Sequence, residues 1–227
     1  MTDLSNWKPR PLPLRVALEG RFVRLEPLDA IRHGDDLYVA ATEGDTEARF
    51  RWLSETPPKD RAAFEPWLQK AQASADPLYF SVIDLATGKA VGRQTLMRID
   101  AANGVIETGA IHWGPAMQAT PKSTEALYLH ARHVFDELGY RRFEWKCNND
   151  NEPSKRAAIR FGFSFEGVFR QHMIVKGLNR DTAWYAMIDK DWPARRAAFE
   201  AWLDPANFDA QGQQKRRLQE FAAAAKT

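Results

Sequence analysis

The stretch Trp113-Gly114-Pro115-Ala116-Met117-Gln118-Ala119-Thr120-Pro121-Lys122-Ser123-Thr124-Glu125-Ala126 gathers the hydroxyls of Thr120, Ser123 and Thr124 around the ammonium of Lys122. It reads as a strand that ends in a tight loop and opens a helix. Free N–H groups at a helix N-terminus, together with the positive end of the helix dipole, make an anion site that would receive a phosphate or pyrophosphate. A capped helix with a solvated first turn is the alternative that the same residues allow. A second segment, Asn151-Glu152-Pro153-Ser154, opens the helix that closes in Phe161-Gly162-Phe163. Taken alone, it is an N-cap followed by a glycine stop. Cys147 could be a nucleophile, but it falls on the apolar Phe143/Trp145 face with no base partner in view, which reads as a buried apolar cysteine.

The elements that would position these residues follow from patterning. Residues 1–15 are Pro-rich and predict an extended arm. Val16–Leu25 suits a strand with a bend or hairpin at Gly20 and Arg21, and Asp29 can cap a helix through His33, Leu37 and Ala41. Residues 47–75 read as helical pieces broken at Pro57–Pro58 and at Pro66. Leu78–Ile83, Ala90–Ile99 and Val105–Trp113 predict three consecutive antiparallel strands, the last two joined by the Asn103-Gly104 hairpin signal. Thr120 is then a good N-cap, Pro121 fits the first helical position, and Leu127, Ala131, Val134 and Leu138 carry the helix to Gly139. A short strand, Arg141–Cys147, should lie parallel to the third strand after a right-handed crossover. A helix from about Pro153 to Phe161 comes after it. Strands Phe165–Val175 and Thr182–Ile188 are next, joined at Gly177-Leu178-Asn179-Arg180, and then a helix from Pro193 to Leu203 with a polar tail. This is an α/β (α+β) sheet domain.

Composition narrows the function classes. The chain has 227 residues, 32 Lys plus Arg against 30 Asp plus Glu, and one Cys, at 44% hydrophobic and 27% charged. Such a chain builds its core without staples. One cysteine gives no internal disulfide, and no Cys/His spacing supports a zinc site. No run of about 18 apolar residues suggests a membrane span, and prolines interrupt any signal-peptide core. A pI of 8.7 rests on a net charge of only +2 and is no argument for nucleic acid. A cytoplasmic location is expected.

The order and spacing of the two chemical segments resemble the GCN5-related N-acetyltransferase (GNAT) family, and Glu107–Gly177 is similar to the branch that acetylates ribosomal-protein N-termini. The family's acyl-CoA loop, Gln/Arg-x-x-Gly-x-Gly/Ala, falls on Gln118-Ala119-Thr120-Pro121-Lys122-Ser123, with Glu125-Ala126 shortly after. Its second signature, Asn-x-x-Ser ahead of a helix closing in Gly-Phe, falls on Asn151, Ser154, Gly162 and Phe163. The resemblance covers about residues 16–190 and leaves 191–227 as a C-terminal helix and tail. It implies a mixed, mainly antiparallel central sheet flanked by helices, with acetyl-CoA as co-substrate and no metal. Gln118, Ala119, Thr120, Lys122, Ser123, Thr124, Asn151 and Ser154 would hold the acyl-CoA, and a backbone donor near Ile111–Trp113 would meet the oxyanion. A primary amine, from a small molecule or a peptide N-terminus, would attack the thioester directly in a ternary complex. Homodimers are common in this branch.

Two departures stand out. Pro121 and Ser123 occupy the family's glycine positions, and proline removes one amide donor, which Lys122 and the neighbouring amides and hydroxyls could offset. Ala158 stands where many members carry a tyrosine acid, which leaves Ser154 or a water to protonate the departing sulfur. For the base, the resemblance nominates Glu107. His112 is the second choice and Asp150 a third. Strand alternation puts Glu107 and His112 on opposite faces unless a bulge intervenes. Trp52 and Trp67 fall in the region that forms the acceptor wall in this fold, where an aromatic could hold a ligand cation. The alternative to an enzyme is a degenerate acyl-CoA-binding sensor or interaction module.

Overall fold

The computed structural model describes residues 3–224; residues 1–2 of the arm and 225–227 of the tail lie outside it. In chain order the elements are β1 (Leu18–Glu19), β2 (Val23–Pro27), α1 (Ala30–Thr42), α2 (Thr46–Phe50), α3 (Arg61–Ala73), β3 (Leu78–Asp84), β4 (Ala90–Asp100), β5 (Val105–Trp113), α4 (Pro121–Arg132), β6 (Arg142–Asn148), α5 (Glu152–Arg160), β7 (Ser164–Val175), β8 (Leu178–Ile188), α6 (Trp192–Trp202) and α7 (Leu218–Ala224). The strands form one sheet in the order β1-β2-β3-β4-β5-β6-β8-β7. Every pairing is antiparallel except β5 with β6, the crossover through α4. This is the mixed, mainly antiparallel sheet expected from the sequence.

The two faces of the sheet are chemically unlike. Phe80, Leu96, Ile106, Phe143 and Trp145 point to one face and join α4 and α6 in the main core. Tyr79, Arg93, Thr95, Glu107, Lys146 and Trp184 point to the other, where α1 and α3 cover only the β3–β4 end through Leu37, Phe64, Leu68, Ile83 and Ala90. Helix α4 is buried all round from Thr124 to Ala131, between the sheet and α6. A carboxylate there needs partners, and Glu125 has three: it accepts from the amides of Arg21 (2.7 Å), Phe22 (2.6 Å) and Val23 (2.8 Å) in the β1–β2 turn. Gly20 permits that approach, since a Cβ there would lie 2.7 Å from the Glu125 carboxyl carbon.

Three expectations change. Pro66 does not break α3 but sits inside it. Ala62, whose carbonyl loses its partner, is exposed on the same side, so water can serve that oxygen. The β7–β8 connection is the two-residue turn Lys176-Gly177, both at positive φ, so β8 begins at Leu178 and the hairpin is longer than the sequence suggested. Thr120 precedes α4, but its hydroxyl donates to Met117 O (2.9 Å) and caps nothing. The Pro-rich arm is tied to the rim of the sheet: Arg10 N donates to Ala101 O, Trp7 Nε1 to Ala102 O and Tyr140 OH to Pro11 O.

Candidate active site

The two parallel strands part company at the centre of the sheet. β5 pairs with β6 only from Val105↔Arg142 to Thr108↔Trp145. Beyond that, Gly109–Trp113 stays with β4 while Lys146–Asn148 stays with β8. The result is a V-shaped opening whose β5 edge carries unpaired backbone groups, the kind of edge onto which an extended ligand can add. A bulge sits on that edge. Arg93 pairs with His112 while Thr95 pairs with Gly109, so β5 holds one extra residue, and Ala110 takes φ 45° to absorb it. Arg93 pins the bulge by donating to Ala110 O (2.8 Å).

The bulge reverses the strand's parity. Glu107 and His112, expected on opposite faces of a regular strand, share the face that carries Arg93 and Lys146. Glu107 is 4% exposed and lies 3.0 Å from Lys146 Nζ and 3.1 Å from Arg98 Nε. Burial pushes its carboxyl above the usual range against the pull of those two cations. His112 packs on Phe50 with ring centroids 4.7 Å apart, and its Nε2 is buried without a partner. Burial, then the charges of Arg93 and Arg49, lower its pKa to about 3, so it is a neutral and weakly basic imidazole. Of the two groups, Glu107 is the one whose proton affinity burial raises, and His112 the one whose proton affinity burial lowers. Asp150 is exposed in the β6–α5 turn.

On the other side of the opening, α4 presents its N-terminus. Pro121 is the first helical residue and Thr120 supplies no side-chain cap, so the first-turn amides of Lys122 and Ser123 are open. The hydroxyl and ammonium cluster expected there is only partly assembled. Ser123 remains half-buried at the helix start. The Lys122 ammonium is 2.8 Å from Asp84 Oδ2, and this contact with the Ala86 amide holds the Asp84 carboxyl low although burial works the other way. Thr124 is fully buried, and its hydroxyl accepts from Arg160 (2.9 Å). Gln118 and Ala119 are exposed in the preceding loop, Ala119 at φ 54°.

The second signature closes the far side. Asn151 Oδ1 caps α5 by accepting from Ser154 N (3.2 Å), and Ser154 Oγ accepts from Trp145 Nε1 (3.0 Å). Because the indole only donates, the Ser154 hydroxyl keeps a proton to donate, with the Cys147 sulfur beside it as one acceptor. Ala158 is fully buried, and burial pushes the Cys147 thiol up, the behaviour of a packed rather than a nucleophilic cysteine. The acceptor-wall aromatics are occupied by the protein's own cations: Arg93 lies 4.2 Å over Trp67, and Arg51 lies 4.8 Å over Trp52. Sequence reasoning missed Arg93 and Lys146. A charged residue in the middle of an apolar strand pattern, as in Ala90-Val91-Gly92-Arg93, was the available signal. Among the described residues, no cluster of three or more His, Cys, Asp or Glu side chains could hold a metal ion, and no helix is long and apolar enough to cross a membrane.

A family model described as an acetyltransferase (GNAT) domain matches residues 23–164. Among solved structures, a GCN5-related N-acetyltransferase from Brucella melitensis is 62% identical with a TM-score of 0.96, over 97% of this chain and 100% of that one. The microcin C7 self-immunity acetyltransferase MccE, solved in complex with acetyl-CoA and AMP, is 20% identical with a TM-score of 0.65, over 74% of this chain and 93% of that one. At that identity the likeness is one of fold. The uncharacterized N-acetyltransferase p20 of Bacillus licheniformis is 26% identical over 117 residues, which span 50% of this chain and 63% of that relative's length. With a family model across most of the chain and the opened β5–β6 pair beside an uncapped α4, the chain belongs to the GNAT acetyltransferase family, whose members use acetyl-CoA as co-substrate.

Proposed function

We propose that the protein is an N-acetyltransferase that moves the acetyl group of acetyl-CoA to a primary amine by direct attack within a ternary complex. The observation that carries this reading is the divergence of β5 and β6 next to the uncapped N-terminus of α4, with Glu107 on the face opposite that helix. The thioester supplies the activated acetyl group. The amides of Lys122 and Ser123 receive the pyrophosphate, with Gln118, Ala119 and Thr120 shaping the loop around it. Open backbone groups from Ile111 to Trp113 take the extended arm of the cofactor and donate to the developing oxyanion. Asn151 fixes the start of α5 on the opposite wall. Glu107 takes the proton from the amine, and Ser154, its own oxygen held by Trp145, donates a hydrogen bond to the departing sulfur, which leaves as the thiolate and takes its proton from water. Holding both substrates in one opening supplies the proximity contribution. The branch resembling ribosomal-protein N-terminal acetyltransferases, a cytoplasmic location and a homodimer belong to the same proposal.

Calorimetry with acetyl-CoA, followed by thiol release over a panel of amines and peptides, tests it. Tight binding with acceptor-dependent thiol release is expected, and no binding at millimolar acetyl-CoA overturns it. One observation favours a second reading, a sensor that binds acyl-CoA without turnover: Ala158 is wholly buried where the family's tyrosine would stand. Binding with no thiol release over the whole panel would select that reading.

A further inference from the structure

The β7–β8 hairpin runs on past the end of β6. The last β6–β8 pair is Asn148↔Thr182, so Leu178–Asp181 and the turn extend beyond the sheet at the mouth of the opening. Gln171, at φ 52°, marks the bend in β7, and the turn residue Lys176 donates its ammonium to Phe50 O (2.9 Å) on α2. Since Phe50 also packs on His112 of β5, the hairpin tip bridges from the β8 side of the opening to the β5 side. The face of the opening that carries Glu107 is therefore roofed, a shape suited to a small acceptor rather than to the surface of a folded protein.

The charges under this roof are unbalanced. Arg180 lies on β8 just beyond the Asn148↔Thr182 pair, and its Nε donates to Thr182 Oγ1 (3.2 Å). Among the described residues no carboxylate lies within ion-pair distance of its guanidinium, although it is only partly exposed. Glu107 is already shared between Arg98 and Lys146, and Glu144 between Lys146 and Arg142. His172, whose Nδ1 meets the same Thr182 hydroxyl at 2.9 Å, is held below its ordinary pKa by burial and by Arg98, Arg180 and Lys146, the signature of a positive field. A partly buried guanidinium with donors to spare is matched by an oxyanion that offers two oxygens, a carboxylate or a phosphate.

We infer that the acceptor is a small amine bearing a carboxylate or phosphate, with Arg180 binding that oxyanion while Glu107 meets the amine. This rests on the transferase reading of the same opening. The test pairs acceptors that differ only in the anion: an amino acid with its methyl ester, and phosphoethanolamine with ethanolamine, the two pairs separating the two sources of charge. With the full chain and saturating acetyl-CoA, one anionic member is expected to show kcat/KM at least tenfold above its neutral partner. Arg180→Gln should erase that preference by raising KM for the anion, leaving KM for acetyl-CoA within twofold, and Arg180→Lys should restore part of it. Equal use of neutral partners, a preference for uncharged peptide N-termini, or an equal loss on both members of each pair overturns the inference. If no acceptor releases thiol, the transferase reading fails separately. Calorimetry of the same pairs against the CoA-saturated protein and its Arg180→Gln variant then decides the anion preference: binding confined to anionic members and lost in the variant sustains it, and anything else overturns it.

Discussion

Replacing Glu107 by Gln keeps the side chain's shape and removes its charge and its basicity, which makes it the sharpest probe of the proposed chemistry. General-base assistance contributes about 10²–10⁴-fold, so kcat should fall by roughly 10²–10³ with little change in affinity for acetyl-CoA. The accompanying stability loss can be bounded from the contacts. Removing one partner of a buried ion pair costs about 3–5 kcal/mol when the other charge is stranded. Here Lys146 keeps Glu144 at 2.6 Å, and the Arg98 side chain is 45% exposed and can return to water. The loss should therefore be about 1–3 kcal/mol, small enough to leave the variant folded. Because burial raises this carboxyl in the folded protein, its contribution to stability is largest at low pH and declines as pH rises through the folded value, a dependence the variant should lack. The same raised value should place the acid limb of the kcat–pH profile above the ordinary carboxylate range. Stopped-flow thiol release from pH 5 to 9, alongside urea unfolding, measures both. A variant within about threefold of the parent kcat that keeps the acid limb would place the base elsewhere.

Three further outcomes are expected from the contacts. Ser123→Asp puts a negative charge at the open first turn of α4 and should weaken CoA at least tenfold, about 1.4 kcal/mol by calorimetry; unchanged affinity would mean that the loop is not the phosphate cradle. Glu125→Ala strands the amides of Arg21, Phe22 and Val23 in a partly buried turn and should lower unfolding stability by about 3 kcal/mol, with Glu125→Gln in between; a Tm shift under 2 °C, about 0.5–1 kcal/mol for a chain of this size, would refute that role. His112 and His130 are both held at a pKa of about 3, chiefly by burial, so the unfolded chain takes up protons that the folded one refuses. Stability should be full above pH 6.5 and fall by up to about 2.7 kcal/mol per pH unit as pH drops from 6 to 5, and urea titrations of His112→Gln should show about half that slope.

Much of the scaffold could be read from residue patterns because it obeys simple periods. The Asn103-Gly104 hairpin, the Pro121 start of α4 and the parallel β5–β6 step all appear where hydrophobic repeats and turn chemistry put them. The candidate site was legible where it lies at element ends, as with the α4 N-terminus and the Asn151 cap. It was not legible where side chains from distant strands meet. Arg93, Lys146 and Arg180 have no local pattern relating them to Glu107 or His112. Lys122 and Thr124 looked like free ligands because Asp84 and Arg160, which engage them, lie 38 and 36 residues away in the chain.

The largest departure from the periodic reading has a single physical cause, and it is backbone conformation. Five non-glycine residues among those described take positive φ: Arg98, Ala110, Ala119, Gln171 and Lys176. Such a conformation costs on the order of 1 kcal/mol per residue and persists only where the surrounding structure holds it. Four of them lie at the opening or on the hairpin that roofs it, and Arg98 sits opposite the still-paired stretch of β5 and reaches in through its side chain. Arg98 pairs with Glu107, and Ala110 makes the bulge that brings His112 to Glu107's face. Ala119 leads into the open turn of α4, Gln171 marks the bend in β7, and Lys176 closes the hairpin tip on Phe50. Hydrophobic alternation is blind to the sign of φ, so a sequence read by period alone assumes regular strands at Arg98, Ala110 and Gln171 and misplaces the residues beyond them. Strain gathered around one cleft, and not spread over the surface, is expected when the geometry of that cleft, rather than the stability of the sheet, determines which residues occupy those positions.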